Sequence, residues 1–160
     1  LNNMNSSFEI LISKLSIRHQ RSLKWFMENK GKKINGWPEP LSKDELLLTM
    51  AKGIYKPKDL DHALSVRMSL NGPYDDQLIE LDAGKFTLKY YQENLTAHKR
   101  DLEYTNIAMN KCINDVVPVG VFIQRKSKPN PIYEVMGPAI IKKWEKGFYA
   151  LNGFNFEGEI

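Results

Sequence analysis

Two kinds of apolar spacing divide the chain. Between Ser6 and Gly31 the apolar residues return every three or four positions, the period of a helix packed on one side. Ser6 or Ser7 is placed to cap a first helix running to about Leu15. Ser16 starts a second, whose Leu23, Phe26 and Met27 share one face and which Gly31 ends. The stretch "INGWPEPL", Ile34 to Leu41, then interrupts all periodicity with two prolines and a glycine and reads as a linker or covering loop. From Leu46 onward the runs become short and rich in branched and aromatic residues. "LLLTM", "ALSVRMSL", "QLIEL", "KFTLKYY", "PVGVFIQ" and "YEVMGPAIIKKW" read as strands, separated by turn-forming "KGIYKPKD", "NGPYDD", "DAGK" and "KPNP".

One helix interrupts the strands, from about Asp101 to Asn114, with Leu102, Ile107, Ala108 and Cys112 expected inward and Arg100 and Lys111 outward. Many short strands with one covering helix predict an α+β fold built on a twisted barrel or sandwich. A two-helix segment with its linker (1–41) precedes the strand-rich domain (42–160). The final "NFEGEI" reads as a frayed end.

Composition narrows the class. A chain of 160 residues, 42% hydrophobic and 26% charged, has the size and balance of one globular domain. It carries no apolar run of membrane-spanning length and no charged-then-apolar leader, so no membrane partner is expected and the expected location is the cytoplasm. Cys112 is the only cysteine, and His19, His62 and His98 stand apart without metal-ligand spacing. Neither a metal nor a cofactor is expected. The net charge of +4 permits a polyanionic partner. Lys14, Arg18, Arg21, Lys24, Lys30, Lys32 and Lys33 crowd the first thirty-odd residues, as a solvated face or as phosphate contacts.

Catalytic patterns are missing. No nucleophile elbow, phosphate loop or HNH pattern occurs, and the near matches to a PD-(D/E)xK site fail on context: Glu28-Asn29-Lys30 lies at a helix end, and Asp82 is followed by Ala83-Gly84 before Lys85. This chain is therefore expected not to be an enzyme by itself. The informative side chains are aromatic. Trp25, Phe26, Trp144, Phe148, Tyr149 and Phe154 occupy periodic or strand positions, where burial is the default. Tyr74 differs, because it sits in a Gly-Pro turn against Asp75 and Asp76; Tyr90 and Tyr91 follow on the next strand. Two aromatic faces and a carboxylate are what a pocket for an extruded base requires: the rings sandwich it and the acid accepts from an exocyclic amine such as cytosine N4. Packing of the same tyrosines in the core is the competing reading.

In their order along the chain these motifs resemble the SET- and RING-associated (SRA) domain, which reads methylated cytosine in DNA. "GIYKPKDLDHALSVRMSLNGPYDD" (Gly53 to Asp76) is similar to that family's Gly-Ile segment, Ser-Leu strand and Gly-Gly-Tyr-Glu-Asp-Asp turn. "FTLKYYQEN", "DLEYTNIAMNKC", "PVGV" and the series Tyr133, Gly137, Trp144 resemble the segments that follow, in the same order. The amino-terminal "LKWFMENKGKKINGWPEPL" with "AKGIYKP" further resembles the lead of bacterial HNH endonucleases that carry an SRA-like reader. The resemblance implies an SRA/PUA-like β-barrel that binds double-stranded DNA containing 5-methyl- or 5-hydroxymethylcytosine by base flipping. It also implies a carboxy-terminal HNH nuclease domain in the full protein and a place at the bacterial nucleoid.

Carried over residue by residue, Tyr74 is the first stacking face and Tyr90 the second, with Tyr91 beside it. Asp76 accepts from N4, or Asp75 does so instead. The turn lacks the family's Glu between the tyrosine and the acids, and "QEN" replaces a glycine-rich stretch, which leaves the 5-substituent open. Lys52, Lys56, Lys58, Lys99, Arg100, Arg125, Lys126 and Lys128 are the candidates for the DNA backbone. Thr105 and Asn106, at the start of the expected helix, are placed either to cap it or to face DNA. Two other classes stand beside this reading: a PUA-like barrel binding RNA or unmodified DNA without flipping, and an enzyme on small modified nucleotides, which lacks a general base or nucleophile.

Overall fold

The computed structural model describes residues 5–49, 52–70, 77–92 and 103–160. Two helices, α1 (Ser7–Ile12) and α2 (Ile17–Glu28), lead into strands β1 (Lys33–Asn35), β2 (Ile54–Tyr55), β3 (Ser65–Met68), β4 (Gln77–Glu80) and β5 (Phe86–Tyr91). Helix α3 (Tyr104–Asp115) then precedes β6 (Val119–Lys126), β7 (Ile132–Glu145) and β8 (Phe148–Gly153). The fold is α+β, as expected.

The helix starts follow from their caps. The Ser6 hydroxyl accepts from the Glu9 amide while the Glu9 carboxylate accepts from the Ser6 amide, a reciprocal box that satisfies two otherwise orphaned donors. Ser16 caps α2 by a single bond, its hydroxyl accepting from the His19 amide. Helix α1 stops at Ile12, short of the expected Leu15.

The strands form one eight-stranded sheet in the order β2-β3-β6-β7-β8-β5-β4, with β1 added against the first residues of β7. Among the described residues every pairing is antiparallel except β3 with β6. The sheet is not closed by hydrogen bonds, yet it curls strongly. The Tyr90 hydroxyl, on β5 near one end of the order, donates to the Arg67 carbonyl of β3, near the other, at 3.5 Å. Gly53, just before β2, lies so near Tyr90 that a Cβ there would meet the hydroxyl at 1.9 Å. Only glycine permits that approach.

Curling creates an inside and an outside. The inside holds Ile54, Val66, Phe86, Leu88, Tyr90, Val121 and Tyr149, plugged by Ala108, Met109 and Cys112 of α3. On the outer face Phe26 of α2 packs with Phe122, Tyr133, Val135, Leu47 and Leu48. Helix α2 can lie this close because Gly120 has no side chain; a Cβ there would strike the Phe26 ring at 2.3 Å. Lys30, just past the end of α2, fastens that end to the sheet by donating to the carbonyls of Gly84 at 2.6 Å and Met136 at 2.5 Å, between the Phe86 and Phe156 rings. Burial pushes its pKa down to about 8.

Several sequence expectations are corrected. "LLLTM" is not a strand over Leu46–Thr49: Leu47 and Leu48 are buried as an irregular segment, because they fill the gap beside Phe26, and the Leu47 carbonyl is satisfied by the Ser65 hydroxyl. The expected linker begins as strand β1, since Ile34 and Asn35 find partners in Tyr133 and Ile132. Ile107 faces solvent, and Thr105 and Asn106 are buried instead of capping α3, whose face is turned toward Met109 and Cys112. The carboxy-terminal residues are tied down: Phe154 is fully buried against Phe8, the Phe8 amide donates to the Gly158 carbonyl, and Ser7 bonds to Glu159.

His19 gives the fold a pH dependence. It is 2% exposed, and burial, with the nearby His62 and Arg18, lowers its pKa to about 4, against the opposing pull of Asp59. Below the ordinary value of 6.5 the unfolded chain takes up a proton that the folded one refuses, so stability is complete above 6.5 and falls as the pH drops toward 4. Urea titrations are expected to show about 2–3 kcal/mol more loss between pH 7 and ~4.5 in the parent protein than in His19→Gln. Equal losses would mean that His19 is not the group responsible.

Candidate nucleic-acid interface

The segment that raised the base-pocket reading, with Tyr74, Asp75 and Asp76, lies outside the described residues, as do Lys99 and Arg100. Its attachment points are defined. Residues 71–76 join β3 to β4, and these strands stand near opposite ends of the sheet order. The described ends of the sheet meet where Gly53, Tyr90 and the Arg67 carbonyl come together.

Strand alternation decides the fate of the tyrosines on β5. Phe86, Leu88 and Tyr90 point inward and are buried, Tyr90 at 6% exposure. The ring expected to be an open stacking face thus packs in the barrel interior at the seam. Tyr91, one residue on, points to the other side and lies 5.7 Å from Phe148. The two are not neighbours in one pocket. The period of two keeps Leu88 and Tyr90 on the same inward face.

The expected backbone cations separate into two groups. Lys52, Lys56 and Lys58 line a cleft of about 860 Å³ together with Arg18 from α2, Lys43 and Tyr104. Acids moderate this charge: Arg18 pairs with Asp59 at 3.1 Å and Lys52 with Glu103 at 3.2 Å, while Lys52 also lies 5.5 Å from the Tyr104 ring centre. At its rim Arg21 grips Glu45 through two hydrogen bonds of 3.0 and 2.6 Å, which hold that carboxyl below its usual range. Lys56 is half-buried and Lys58 exposed. A groove that gathers cations from both the helical lead and the sheet suits a polyanion.

Arg125, Lys126 and Lys128 form the second group, on the β6–β7 hairpin. Arg125 is held by Glu134 at 2.8 Å and Glu80 at 3.2 Å, so its guanidinium is committed to two carboxylates. Lys126 and Lys128 are exposed.

Two residues went unnoticed in the sequence. Trp37 is 38% exposed and stacks on Tyr133 with ring centres 5.2 Å apart. The Arg67 guanidinium lies 5.4 Å from the Trp37 ring centre. Both carried a signal: Trp37 is a loop aromatic between Gly36 and Pro38, and Arg67 is a lone charge inside an apolar strand.

No family model and no curated protein matches this chain. Among solved structures it is similar to the SUVH5 SRA domain in a complex with fully methylated CG DNA, at 24% sequence identity and a TM-score of 0.44, covering 64% of this chain and 74% of that one.

Proposed function

We propose that this chain is a DNA-recognition module that draws a 5-modified cytosine out of the duplex, and that it is the reading part of a modification-dependent restriction endonuclease. The observation that carries the reading is the seam. In the sequence the aromatic beside two acids falls between β3, which carries Arg67, and β4, which pairs with the strand of Tyr90. Those two ends of the sheet meet where Gly53, Tyr90 and the Arg67 carbonyl come together, while Lys43, Lys52, Lys56 and Lys58 converge on one cleft.

Extruding a base costs a few kcal/mol; stacking on Tyr74 returns about 1–3 kcal/mol, and a hydrogen bond from N4 to Asp76 or Asp75 adds to it. Because Tyr90 is packed inward at the seam, Tyr74 supplies the principal stacking face and Tyr90 borders the pocket floor beside Gly53. A 5-methyl group is worth only about 0.8 kcal/mol of burial, so discrimination from plain cytosine rests on the tightness of that floor. Phosphate contacts from Lys52, Lys56 and Lys58 supply most of the affinity. An HNH nuclease domain on the carboxy-terminal side and action at the bacterial nucleoid belong to the same proposal.

The test is a competition titration at fixed salt with three duplexes of one sequence carrying cytosine, 5-methylcytosine or 5-hydroxymethylcytosine. The expected result is tighter binding to a modified duplex, with the preference lost and salt-sensitive binding kept in Tyr74→Ala. Equal affinity for all three duplexes would replace this reading with that of a basic barrel on DNA or RNA that flips nothing.

A further inference from the structure

A second cavity, of about 420 Å³, opens on the outer face of the sheet. Registration puts Arg67 beside Phe122 and Gln124 beside Tyr133, so strand alternation brings Arg67, Gln124 and Tyr133 to the face opposite the barrel interior. Trp37 forms the wall, half roofed by its stack on Tyr133 and with more than a third of its surface open. Lys128 completes the lining from the β6–β7 hairpin.

The charge of this cavity is unbalanced. Arg67 is held by neutral oxygens: its two terminal nitrogens donate to the Ser69 hydroxyl at 3.1 Å and to the carbonyls of Thr49 and Lys52 at 3.5 and 3.3 Å. Its Nε is buried without a partner. Among the described residues no carboxylate pairs with Arg67 or Lys128, and none lines the cavity. An exposed indole in one cavity with Arg67 and Lys128, neither paired with a carboxylate, calls for a ligand with both a flat ring and a negative charge. Ring volume and phosphate together fit a cavity of this size.

The geometry points to a nucleotide-binding site here, distinct from the base pocket at the seam: the base packs against Trp37 and the phosphate lies between Arg67 and Lys128. Such a unit has two sources, a nucleotide within a DNA strand or a free mononucleotide. The strand is favoured by position, because the Leu70 amide is anchored on the Gln124 side chain at the cavity edge and Leu70 leads directly into residues 71–76. In that form the inference rests on the DNA-reading proposal and extends it by giving the strand that carries the extruded base a second hold.

The experiment measures binding of pentathymidylate, of thymidine monophosphate and of the three duplexes to the parent protein, Trp37→Ala, Trp37→Phe and Lys128→Gln. Trp37→Ala is expected to weaken pentathymidylate binding about tenfold, Trp37→Phe to keep most of it, and Lys128→Gln to weaken it several-fold with a shallower salt dependence. Mononucleotide binding as tight as that of the pentamer assigns a free nucleotide to the site; tighter pentamer binding assigns the strand. Unchanged binding of both by Trp37→Ala and by the surface variant Lys128→Gln would overturn the site. The two proposals fail separately. Trp37-dependent binding without any preference among the duplexes removes the modified-base reading alone, whereas a Tyr74-dependent preference untouched by both cavity variants removes this site alone.

Discussion

Replacing Phe26 by alanine is expected to cost about 3–5 kcal/mol of folding stability, the range for deleting a fully buried aromatic ring. Phe26 is wholly inaccessible, lies edge-on to Trp25 at 5.2 Å and to Phe122 at 5.0 Å, and fills the space that Gly120 leaves open. No neighbour is positioned to collapse into the hole. Leu47 and Leu48 belong to an irregular segment already fixed by the Leu47–Ser65 hydrogen bond, and Phe122 is held in the β-ladder. Because this ring joins the helical lead to the sheet, the loss should appear in a single urea transition of the whole chain. A loss below about 1 kcal/mol, or a separate early transition of the helices, would show that α2 is only loosely docked.

Neutralising Lys52, Lys56 and Lys58 together to glutamine is expected to weaken duplex binding on the order of 10²-fold near ~0.15 M salt. If all three lysines contact phosphates as proposed, their removal should also make the slope of log affinity against log salt shallower by about 2.7. The salt slope is the decisive readout, since it counts phosphates and is insensitive to a modest change in pocket shape. Preference for a modified cytosine should survive, because a contact to phosphate carries no base information. An unchanged slope would place the duplex elsewhere, and the exposed Lys126 and Lys128 on the β6–β7 hairpin would be the next to change.

Legibility in the sequence followed the range of the forces involved. The α2 face and both helix starts were readable because a cap or an apolar stripe is decided within a few residues: Ser6 with Glu9, Ser16 with the His19 amide, and Leu23 with Phe26. Strands β3, β5, β6 and β7 were readable from their branched and aromatic runs. "LLLTM" misled for the same local reason, since a strand and an irregular plug show the same apolar string, and what separates them is the gap beside Phe26. Ile107 misled because the rotation of α3 is set by what the barrel interior accepts, and Met109 and Cys112 fit there. The backbone cations could be named but not sorted. Nothing local to Arg125 reveals that Glu80 and Glu134 will close on it, or that Lys52 and Lys58 will share a cleft with Arg18.

The sequence by itself determined the α+β class, the two capped helices, the run of short strands and the placing of an aromatic directly beside paired acids, all properties of short windows. Tertiary structure alone decided the rest. It turned Tyr90 inward and Tyr91 outward, brought Gly53 against the Tyr90 hydroxyl, and gathered Trp37, Arg67 and Lys128 around one cavity. The approach of Gly53 to Tyr90 depends on how far the sheet curls before its ends meet, and the side each strand turns inward and the strands that become neighbours are set by packing between residues tens of positions apart.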